Sequence, residues 1–287
     1  MSAVEVELEL STAAPFAADH LASFLAARAV PGVEAWDGET YHRTLRLPYG
    51  HGVARLRISD RQPVHALLEL EDERDRDAAA ARLRRLLDLD AVSAVIDTAL
   101  SADPTLAPLI GITPGLRLAG SVEPFETAIK AVVGQQISVA GARTVTGRIV
   151  ASVGEPIRIP GGPVSNLFPS PSALAAIDPA LLPMPASRRR TIIELAQRVA
   201  DGRIDLRPDT DRDTTAAALL DVPGIGPWTV GYVRMRGLGD PDVFLPTDLG
   251  VKIGLRRLGI DPGHAERWRP WRSYALHHVW IAAGLPQ

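Results

Sequence analysis

The residues of this chain that could do chemistry lie in its last third. A Pro-Gly-Ile-Gly-Pro-Trp sequence ends at Trp228, and Asp248 follows twenty residues later, directly after Pro246 and Thr247. An aspartate after Pro-Thr is most often a helix cap. That role is compatible with a functional one, because the free N–H groups at a helix start favour a charged carboxylate. A fixed anion near a large aromatic ring can stabilise positive charge that develops on a substrate.

A helix, a tight turn and a second helix are predicted to position Trp228. An Ala/Leu run stops at Asp221, Gly224 and Gly226 let the backbone turn sharply, and Pro227 suits the first position of the next helix. The start of that helix presents free N–H groups and the positive end of the helix dipole, which together attract an anion. The expected anion is a nucleic-acid phosphate.

Composition limits the class of protein. The chain has 287 residues, 46% of them hydrophobic, so it can bury a full core in two or three domains. It has no cysteine, which excludes disulfides, thiolate zinc sites and cysteine-ligated clusters and fits a reducing cytoplasm. No apolar stretch approaches the ~18 residues of a membrane span, and residues 1–5 do not resemble an export signal. We expect a protein without a membrane role.

Charge is divided unevenly along the chain. The formal net charge is −3, which by itself argues against nucleic-acid binding. Residues 1–110 hold 18 acidic and 11 basic side chains, whereas residues 111–287 hold 16 acidic and 20 basic ones. The basic surface therefore belongs to the C-terminal part, and binding to undamaged DNA should be weak and sensitive to salt.

The N-terminal part, residues 1–90, is predicted to be an α+β domain. Residues 4–10 alternate apolar and acidic side chains, the pattern of a strand with one solvated face. A helix over 17–29, four further strands (33–36, 41–47, 53–58 and 65–70) with a hairpin turn at 49–52, and a charged helix over 75–88 complete an antiparallel sheet with helices on one face.

Residues 91–287 are predicted to be mainly helical, with a Pro/Gly-rich loop at 156–171. The apolar periodicity predicts helices over 91–99, 104–110, 123–134, 136–152, 171–177, 187–201, 213–221, 227–236, 248–258 and 268–283.

A glycine-rich hairpin followed at this distance by one carboxylate resembles the helix-hairpin-helix DNA glycosylase superfamily. Trp228 in the hairpin and the C-terminal segment 271–280, Trp-Arg-Ser-Tyr-Ala-Leu-His-His-Val-Trp, resemble its alkylation-repair branch, 3-methyladenine DNA glycosylase II. The similarity runs from the Phe-Leu-Ala-Ala-Arg segment at 24–28 through Gly-Gln-Gln-Ile-Ser at 134–138 to Trp280. The resemblance implies a TBP-like α+β N-terminal domain, and then two helical subdomains with the active cleft between them.

The resemblance also assigns roles to residues. Asp248 is expected to stabilise an oxocarbenium-like sugar and to position or deprotonate the attacking water. An alkylated purine is already cationic and leaves as a neutral base, so one carboxylate can suffice. Substrate binding is expected from the aromatic residues Trp228, Tyr232, Trp280 and Phe24, with core packing as the alternative role of Phe24.

DNA binding is expected from the hairpin residues Gly224, Gly226 and Thr229 and from a second loop, Gln135 and Gln136. By resemblance, Gln136 fills the gap left by a flipped nucleotide, although two glutamines there could equally be ordinary solvent-facing residues.

The two lysines, Lys130 and Lys252, bear on whether the enzyme also cuts the strand. Bifunctional relatives carry a Schiff-base lysine where this chain has Trp228, so the resemblance implies a monofunctional glycosylase. Lys252 is expected to pair with Asp248 across one helical turn. His277 and His278 are adjacent and lack a second ligand at i+4 spacing, which makes a catalytic metal a poor interpretation.

No cofactor is required by this interpretation. Family members can hold a monovalent cation, Na⁺ or K⁺, on hairpin carbonyls, which here would be those of Leu220, Val222 and Ile225. The expected partner is double-stranded DNA containing alkylated bases, bound by a cytoplasmic, nucleoid-associated monomer.

Two alternatives remain at this point. One is a glycosylase for deaminated or oxidised purines, which a panel of hypoxanthine, 8-oxoguanine and 3-methyladenine substrates would distinguish. The other is a catalytically silent, damage-sensing DNA-binding protein. Asp248 together with Trp228 argues against the second alternative, because a phosphate clamp needs neither residue.

Overall fold

The computed structural model describes residues 3–60, 63–159 and 162–284. Its N-terminal part is a five-stranded antiparallel sheet with the strand order β1-β5-β4-β3-β2. The first strand pairs with the last, with Leu10 opposite Val64, so the first strand forms one edge of the sheet. The strands are β1 (Val4–Leu10), β2 (Glu34–Trp36), β3 (Thr40–Arg46), β4 (His51–Arg57) and β5 (Val64–Leu70).

Two helices pack on this sheet, α1 (Ala18–Arg28) and α2 (Arg76–Leu87). Leu21 and Phe24 of α1 join the buried side chains of the strands and of α2 in one hydrophobic core. The alternation in β1 is confirmed: its glutamates are exposed and Leu10 is buried. The predicted α+β arrangement of this part of the chain is therefore correct.

The hairpin turn between β3 and β4 occupies residues 47–50, two residues before its predicted position. Arg46 already faces His51 and Leu45 faces Gly52 in the ladder, so Gly52 lies inside a strand. A Cβ at Gly52 would lie 2.8 Å from the Leu70 side chain, which explains the glycine by close packing and not by a turn.

The rest of the chain is mainly helical, as predicted. The helices are α3 (Ser93–Ser101), α4 (Ala107–Ile112), α5 (Pro124–Val133), α6 (Val139–Val153), α7 (Pro171–Ala175), α8 (Ala186–Ala200), α9 (Arg212–Leu220), α10 (Pro227–Gly237), α11 (Leu249–Leu258) and α12 (Arg272–Ala282).

Several predicted elements of this region have different bounds in the structure, and the largest differences lie in the predicted loop and in the last helix. The loop at 156–171 contains two short paired strands, β6 (Glu155–Pro156) and β7 (Asn166–Leu167), while its residues 160–161 lie outside the described ranges. The last helix begins only at Arg272, because Arg269 is extended before Pro270 and residues 262–268 form a 3₁₀ helix.

Two hydrophobic cores divide the helices into two groups. One contains α5, α6, α8 and α9, and the other contains α3, α4, α11 and α12. Helix α10 contributes to both, with Val230 and Val233 in the first core and Met235 in the second. The two predicted helical subdomains are therefore present, and α10 joins them. The predicted domain boundary at residue 90 stays a prediction.

Candidate active site

The hairpin between α9 and α10 needs glycine at its first turn position. Gly224 has φ +91°, and a Cβ there would lie 2.2 Å from Thr191 Oγ1. Thr191 Oγ1 donates to the Pro223 carbonyl at 2.7 Å, which fixes the turn to α8. Gly226 is the N-cap of α10 and Pro227 takes its first position. The start of α10 can thus attract an anion, because its first N–H groups lack intrahelical partners.

Asp248 is the N-cap of α11 and is held by three neutral donors. Its Oδ1 accepts the Val251 N–H at 3.0 Å and the Trp280 Nε1–H at 2.9 Å. Its Oδ2 accepts the Trp228 Nε1–H at 2.9 Å. The donors fix both oxygens without cancelling the negative charge. The predicted cap is confirmed, and the catalytic role of Asp248 stays a prediction.

A cavity of about 1210 Å³ opens beside Asp248. Trp228 and Tyr232 line it with stacked rings, 5.4 Å between centroids and 22° between planes, and Trp280 lines it as well. The volume exceeds the ~300–1,000 Å³ of ordinary ligand pockets, so a nucleobase can enter together with its sugar. Leu249 is 67% exposed where the cavity meets solvent. The cavity brings together Asp248 and three of the four predicted pocket aromatics.

Phe24, the fourth predicted pocket aromatic, does not line the cavity. Its side chain is 1% exposed in the N-terminal core. The Arg28 guanidinium lies 3.7 Å and that of Arg236 4.5 Å from its ring centroid, and the His277 ring is 5.6 Å away. Phe24 is therefore a core residue, which was the alternative role given above. Its ring supports two arginines that line the cavity.

The Gln135 side chain bonds within the protein. Its Nε2 donates to the Gly224 carbonyl and to Thr229 Oγ1, both at 3.0 Å, and Arg188 donates to its carbonyl at 2.8 Å. Thr229 is 2% exposed. These two side chains therefore join the second loop to the hairpin, so that the two candidate DNA-binding loops hold each other in place. Contact of Gln135 and Thr229 with DNA stays a prediction.

Gln136 lies at the apex of the second loop. It is exposed and has φ +60°, so its backbone is in the left-handed region, and it lines the cavity mouth. The next residue, Ile137, is 40% exposed. Ser138 then caps α6 by accepting the Gly141 N–H at 3.1 Å, which explains why the helix starts later than residue 136. The insertion of Gln136 into DNA stays a prediction.

A network of four charged residues lines another part of the cavity wall. Arg43 donates to both oxygens of Glu126 and lies 3.1 Å from Glu34, and Lys130 Nζ lies 3.0 Å from Glu34 and 3.1 Å from Glu126. Two acids and two bases make the network neutral. Burial raises the pKa of Glu34, but the charges of Lys130 and then Arg43 outweigh it and hold that pKa at about 2.

The sequence interpretation missed two cavity residues, Arg28 and Arg236. The spacing of each arginine from a predicted pocket aromatic on the same helix could have identified it as a candidate cavity residue. Arg236 follows Tyr232 by four residues and Trp228 by eight, so the three share one face of α10. Arg28 follows Phe24 by four residues on α1.

The hairpin carbonyls proposed for a cation fit that role in part. Among the described residues, the carbonyls of Leu220 and Ile225 accept no hydrogen bond, whereas the Val222 carbonyl accepts the Ile225 N–H at 3.0 Å. Carbonyl oxygens are suitable ligands for a hard cation, and Val222 keeps a second lone pair. Monovalent-cation binding here stays a prediction.

Lys252 does not pair with Asp248, contrary to the prediction. The ion pairs found within the described ranges include none between them, because the two indoles and the Val251 N–H occupy the carboxylate. His277 and His278 are both 1% exposed, and the described residues contain no group of three or more metal-ligating side chains. Within the described part of the chain, no helix is long and apolar enough to cross a bilayer.

Comparison with solved structures shows which fold this chain has. A 3-methyladenine DNA-glycosylase from Archaeoglobus fulgidus superposes with a TM-score of 0.83 over 98% of both chains, at 20% identity. An 8-oxoguanine glycosylase/lyase from Clostridium acetobutylicum, in its apo-form, gives 0.69 over 88% of both chains, at 14% identity. The chain therefore has the fold of the helix-hairpin-helix DNA glycosylases.

Sequence relatives then identify the family. The AlkA N-terminal domain family matches residues 7–123. DNA-3-methyladenine glycosylase 2 of Escherichia coli K12 is 37% identical over 279 residues, 94% of this chain and 95% of that protein. A probable bifunctional transcriptional activator/DNA repair enzyme AlkA of Mycobacterium tuberculosis is 44% identical over 291 residues. The match covers 99% of this chain, which spans 58% of that relative's length. The chain belongs to the DNA-3-methyladenine glycosylase 2 (AlkA) family.

Proposed function

We propose that this protein is a monofunctional DNA glycosylase that releases alkylated purines, of the 3-methyladenine and 7-methylguanine type, from double-stranded DNA. It hydrolyses the N-glycosidic bond and leaves an abasic site for base excision repair. The observation that carries the proposal is Asp248, an anion held by two indole N–H groups in the wall of a cavity large enough for a nucleotide. The names of its relatives support the same reaction.

The reaction follows from the positions of Asp248, Trp228 and Tyr232. A target in a duplex must be flipped out of the stack, and the stacked rings of Trp228 and Tyr232 offer a flat aromatic surface for it. Attraction between an alkylated, cationic base and an indole contributes ~1–2 kcal/mol when both are desolvated. As the C1′–N bond breaks, positive charge moves from the base to the sugar, where Asp248 stabilises it and accepts the proton of the attacking water.

The absence of strand-cutting activity is part of the proposal. A Schiff-base nucleophile must be a neutral amine. Lys130 contacts two carboxylates, and although burial lowers the pKa of Lys130, the charges of Glu34 and Glu126 outweigh burial and raise it. Lys252 is exposed on α11, and the hairpin position that carries lysine in bifunctional relatives is Trp228.

DNA is bound, in this proposal, from the minor groove by the two loops that Gln135 joins. The start of α10 at Gly226 receives a backbone phosphate, and Gln136 enters the duplex at the gap and hydrogen-bonds the orphaned base. No cofactor is required, and Na⁺ or K⁺ on the carbonyls of Leu220, Val222 and Ile225 would fix the hairpin. The protein acts as a monomer on the DNA of the cytoplasm.

The substitution Asp248→Asn tests the function. Release of 3-methyladenine from methylated DNA should fall at least ~10³-fold, while binding to DNA containing an abasic site persists or tightens. Asp211→Asn is the matched control, because Asp211 caps α9 by accepting the Thr214 N–H at 2.7 Å and does not line the cavity. Retained release by Asp248→Asn would remove this residue from the mechanism. A parent protein that releases no base would instead support a damage-sensing binding protein.

A further inference from the structure

Two arginines, Arg28 and Arg236, lie in the cavity wall beside Tyr232. Neither appears in the ion pairs found within the described ranges. Arg28 donates to the Phe24 carbonyl at 3.3 Å. Arg236 is 8% exposed and donates to Tyr232 Oη at 3.2 Å and to the Gly120 carbonyl at 3.4 Å. The buried Nε of Arg236 has no acceptor among the described residues. These acceptors are neutral oxygens, so they do not cancel the charge of either guanidinium.

Cations buried in this way are usually paired, because removing a charge from water is costly. Burial lowers the pKa of Arg28 to about 10, which still leaves its side chain charged at neutral pH. Glu34 and Glu126 line the same cavity, but Arg43 and Lys130 already neutralise them. This end of the cavity therefore has a positive charge that a ligand with a negative group would neutralise.

Tyr232 locates this positive charge relative to the aromatic surface that would hold a base. Its ring stacks on Trp228, while its hydroxyl accepts from Arg236. Trp228 in turn donates to Asp248. In the proposed function Asp248 lies beside the sugar of the bound nucleotide. The end of the base that is remote from the sugar therefore points towards Tyr232 and the two arginines.

We propose that Arg28 and Arg236 bind a carboxylate carried by the lesion itself, so that the enzyme prefers 7-(carboxyalkyl)guanines, such as 7-(carboxymethyl)guanine. The inference rests on the proposed glycosylase function and names a further substrate class for the same site. N7 and O6 share one edge of guanine, so a short chain on N7 extends past O6 towards the end remote from the sugar. Guanidinium groups present paired N–H donors that match a carboxylate, and the cavity of about 1210 Å³ has room for the added group.

The charges of this lesion match the charges at both ends of the cavity. Alkylation at N7 makes the guanine ring cationic, and the added carboxylate makes the base zwitterionic. When the bond between C1′ and N9 breaks, its electron pair neutralises the ring, while the carboxylate keeps its charge and its guanidinium partners. Water adds to C1′ and gives its proton to Asp248, so the products are the abasic sugar and a base anion. A methyl group on N7 leaves the arginines unpaired beside a cationic ring, which makes 7-methylguanine the weaker ligand.

Three DNA duplexes of one sequence test this inference. They carry 7-(carboxymethyl)guanine, its uncharged amide 7-(carbamoylmethyl)guanine, or 7-methylguanine. Single-turnover release is measured after subtraction of the rate without enzyme. At sub-saturating enzyme the parent should release the acid at least ~10-fold faster than the amide, because the two lesions differ in charge and hardly in size. At saturating enzyme the two rates should agree within about threefold, because the carboxylate contacts stabilise the bound lesion and the transition state alike.

Substitutions of the arginines test their part in this preference. Arg28→Met and Arg236→Met should each lower the acid-to-amide ratio of rates, and the double variant should bring the ratio to about one. Arg236→Lys should keep part of the preference, because it keeps the charge without the paired donors. Arg57→Met, which removes an equal charge on the exposed sheet, should leave the ratio as in the parent. Partial misfolding of a variant lowers both rates together and does not change their ratio.

The outcomes separate this inference from the proposed function. A parent enzyme that releases 7-methylguanine but does not prefer the acid to the amide would overturn the inference and leave the proposed function intact. A preference that survives in the double variant would mean that another group binds the carboxylate, which overturns the role of the arginines. A parent enzyme that releases none of the three bases would contradict the proposed function itself.

Discussion

Three carboxylates line the same cavity, and the two glutamates are held in the opposite way to the aspartate. Glu34 and Glu126 are held by the cations Arg43 and Lys130, and the four charges sum to zero. Asp248 is held only by neutral N–H donors, two of them indoles. Cations cancel the charge of an acid, whereas neutral dipoles fix its position and leave its charge available.

This difference explains why Asp248, and not a glutamate, is the candidate for catalysis. A sugar that becomes positive in the transition state gains most from an anion whose charge is not already neutralised. It also explains why Glu34 is not a candidate general acid, since Lys130 and Arg43 hold the pKa of Glu34 at about 2 and its proton is absent at neutral pH. Arg28 and Arg236 are the corresponding cations of the cavity wall. Among the described residues neither has a carboxylate partner, so their positive charge is not cancelled by an ion pair.

The largest expected effect comes from breaking the neutral network. Arg43→Met would leave Glu34 and Glu126 buried with one cation between them, and should lower the free energy of unfolding by about 3–5 kcal/mol. Urea denaturation at pH 7 measures this loss. Arg57→Met, which removes an exposed pair with Glu39, should cost less than ~1 kcal/mol. Similar values for the two variants would show that the network is not structural.

The next effect concerns the neutral donors of Asp248. Trp228→Phe and Trp280→Phe each keep an aromatic ring and remove one N–H donor, so each should slow 3-methyladenine release by about 10- to 100-fold. Single-turnover kinetics give the rates, and Trp271→Phe serves as the control because Trp271 does not contact Asp248. A full rate in both variants would show that the indoles do not position the carboxylate.

A smaller effect is expected at Asp88, a carboxylate held by neutral donors away from the cavity. It accepts the Leu118 N–H and the Tyr274 hydroxyl, both at 2.9 Å, and burial raises its pKa to about 6 from an ordinary 3.8. Its contribution to stability is therefore full below pH 3.8 and is lost as the pH rises through 6. Asp88→Asn should stabilise the protein above pH 6 by at most about 3 kcal/mol.

The left-handed conformation at residue 88 tolerates asparagine, and the amide oxygen can accept both bonds. Thermal unfolding at pH 4 and pH 7.5 checks the difference between parent and variant, which should appear only at the higher pH. A variant less stable than the parent at both values would show that the ionised form of Asp88 is needed.

The smallest effect is expected at Lys252. Because the Asp248 oxygens already have three neutral donors, Lys252→Ala should change the free energy of unfolding by less than ~0.5 kcal/mol and leave the single-turnover rate of base release unchanged. Calorimetry and the release assay measure both. A marked loss of rate would indicate that Lys252 does compensate the Asp248 charge when DNA is bound.

Local patterns accounted for much of the fold. The alternation over residues 4–10 produces β1, because side chains of a strand point to opposite faces in turn. The helix limits at Pro227 and Asp248 were likewise predictable, since proline and a capping carboxylate act within one turn of their own position. The prediction was wrong where a residue distant in sequence determined the local structure. Gly52 was predicted to lie in a turn, but its lack of a side chain is explained by close packing against Leu70 across the sheet.

By itself, therefore, the sequence determined the five strands of the N-terminal sheet, the helical hairpin before Trp228 and the presence of a cap at Asp248, because each depends on torsions and hydrogen bonds between near neighbours. Only the tertiary structure decided that Phe24 lies in the core, that Gln135 bonds to Thr229, and that Arg236 has no carboxylate partner among the described residues. Those outcomes depend on residues that are far apart in the chain and meet only after packing, so the electrostatic environment of a side chain follows from the fold and not from its neighbours in sequence.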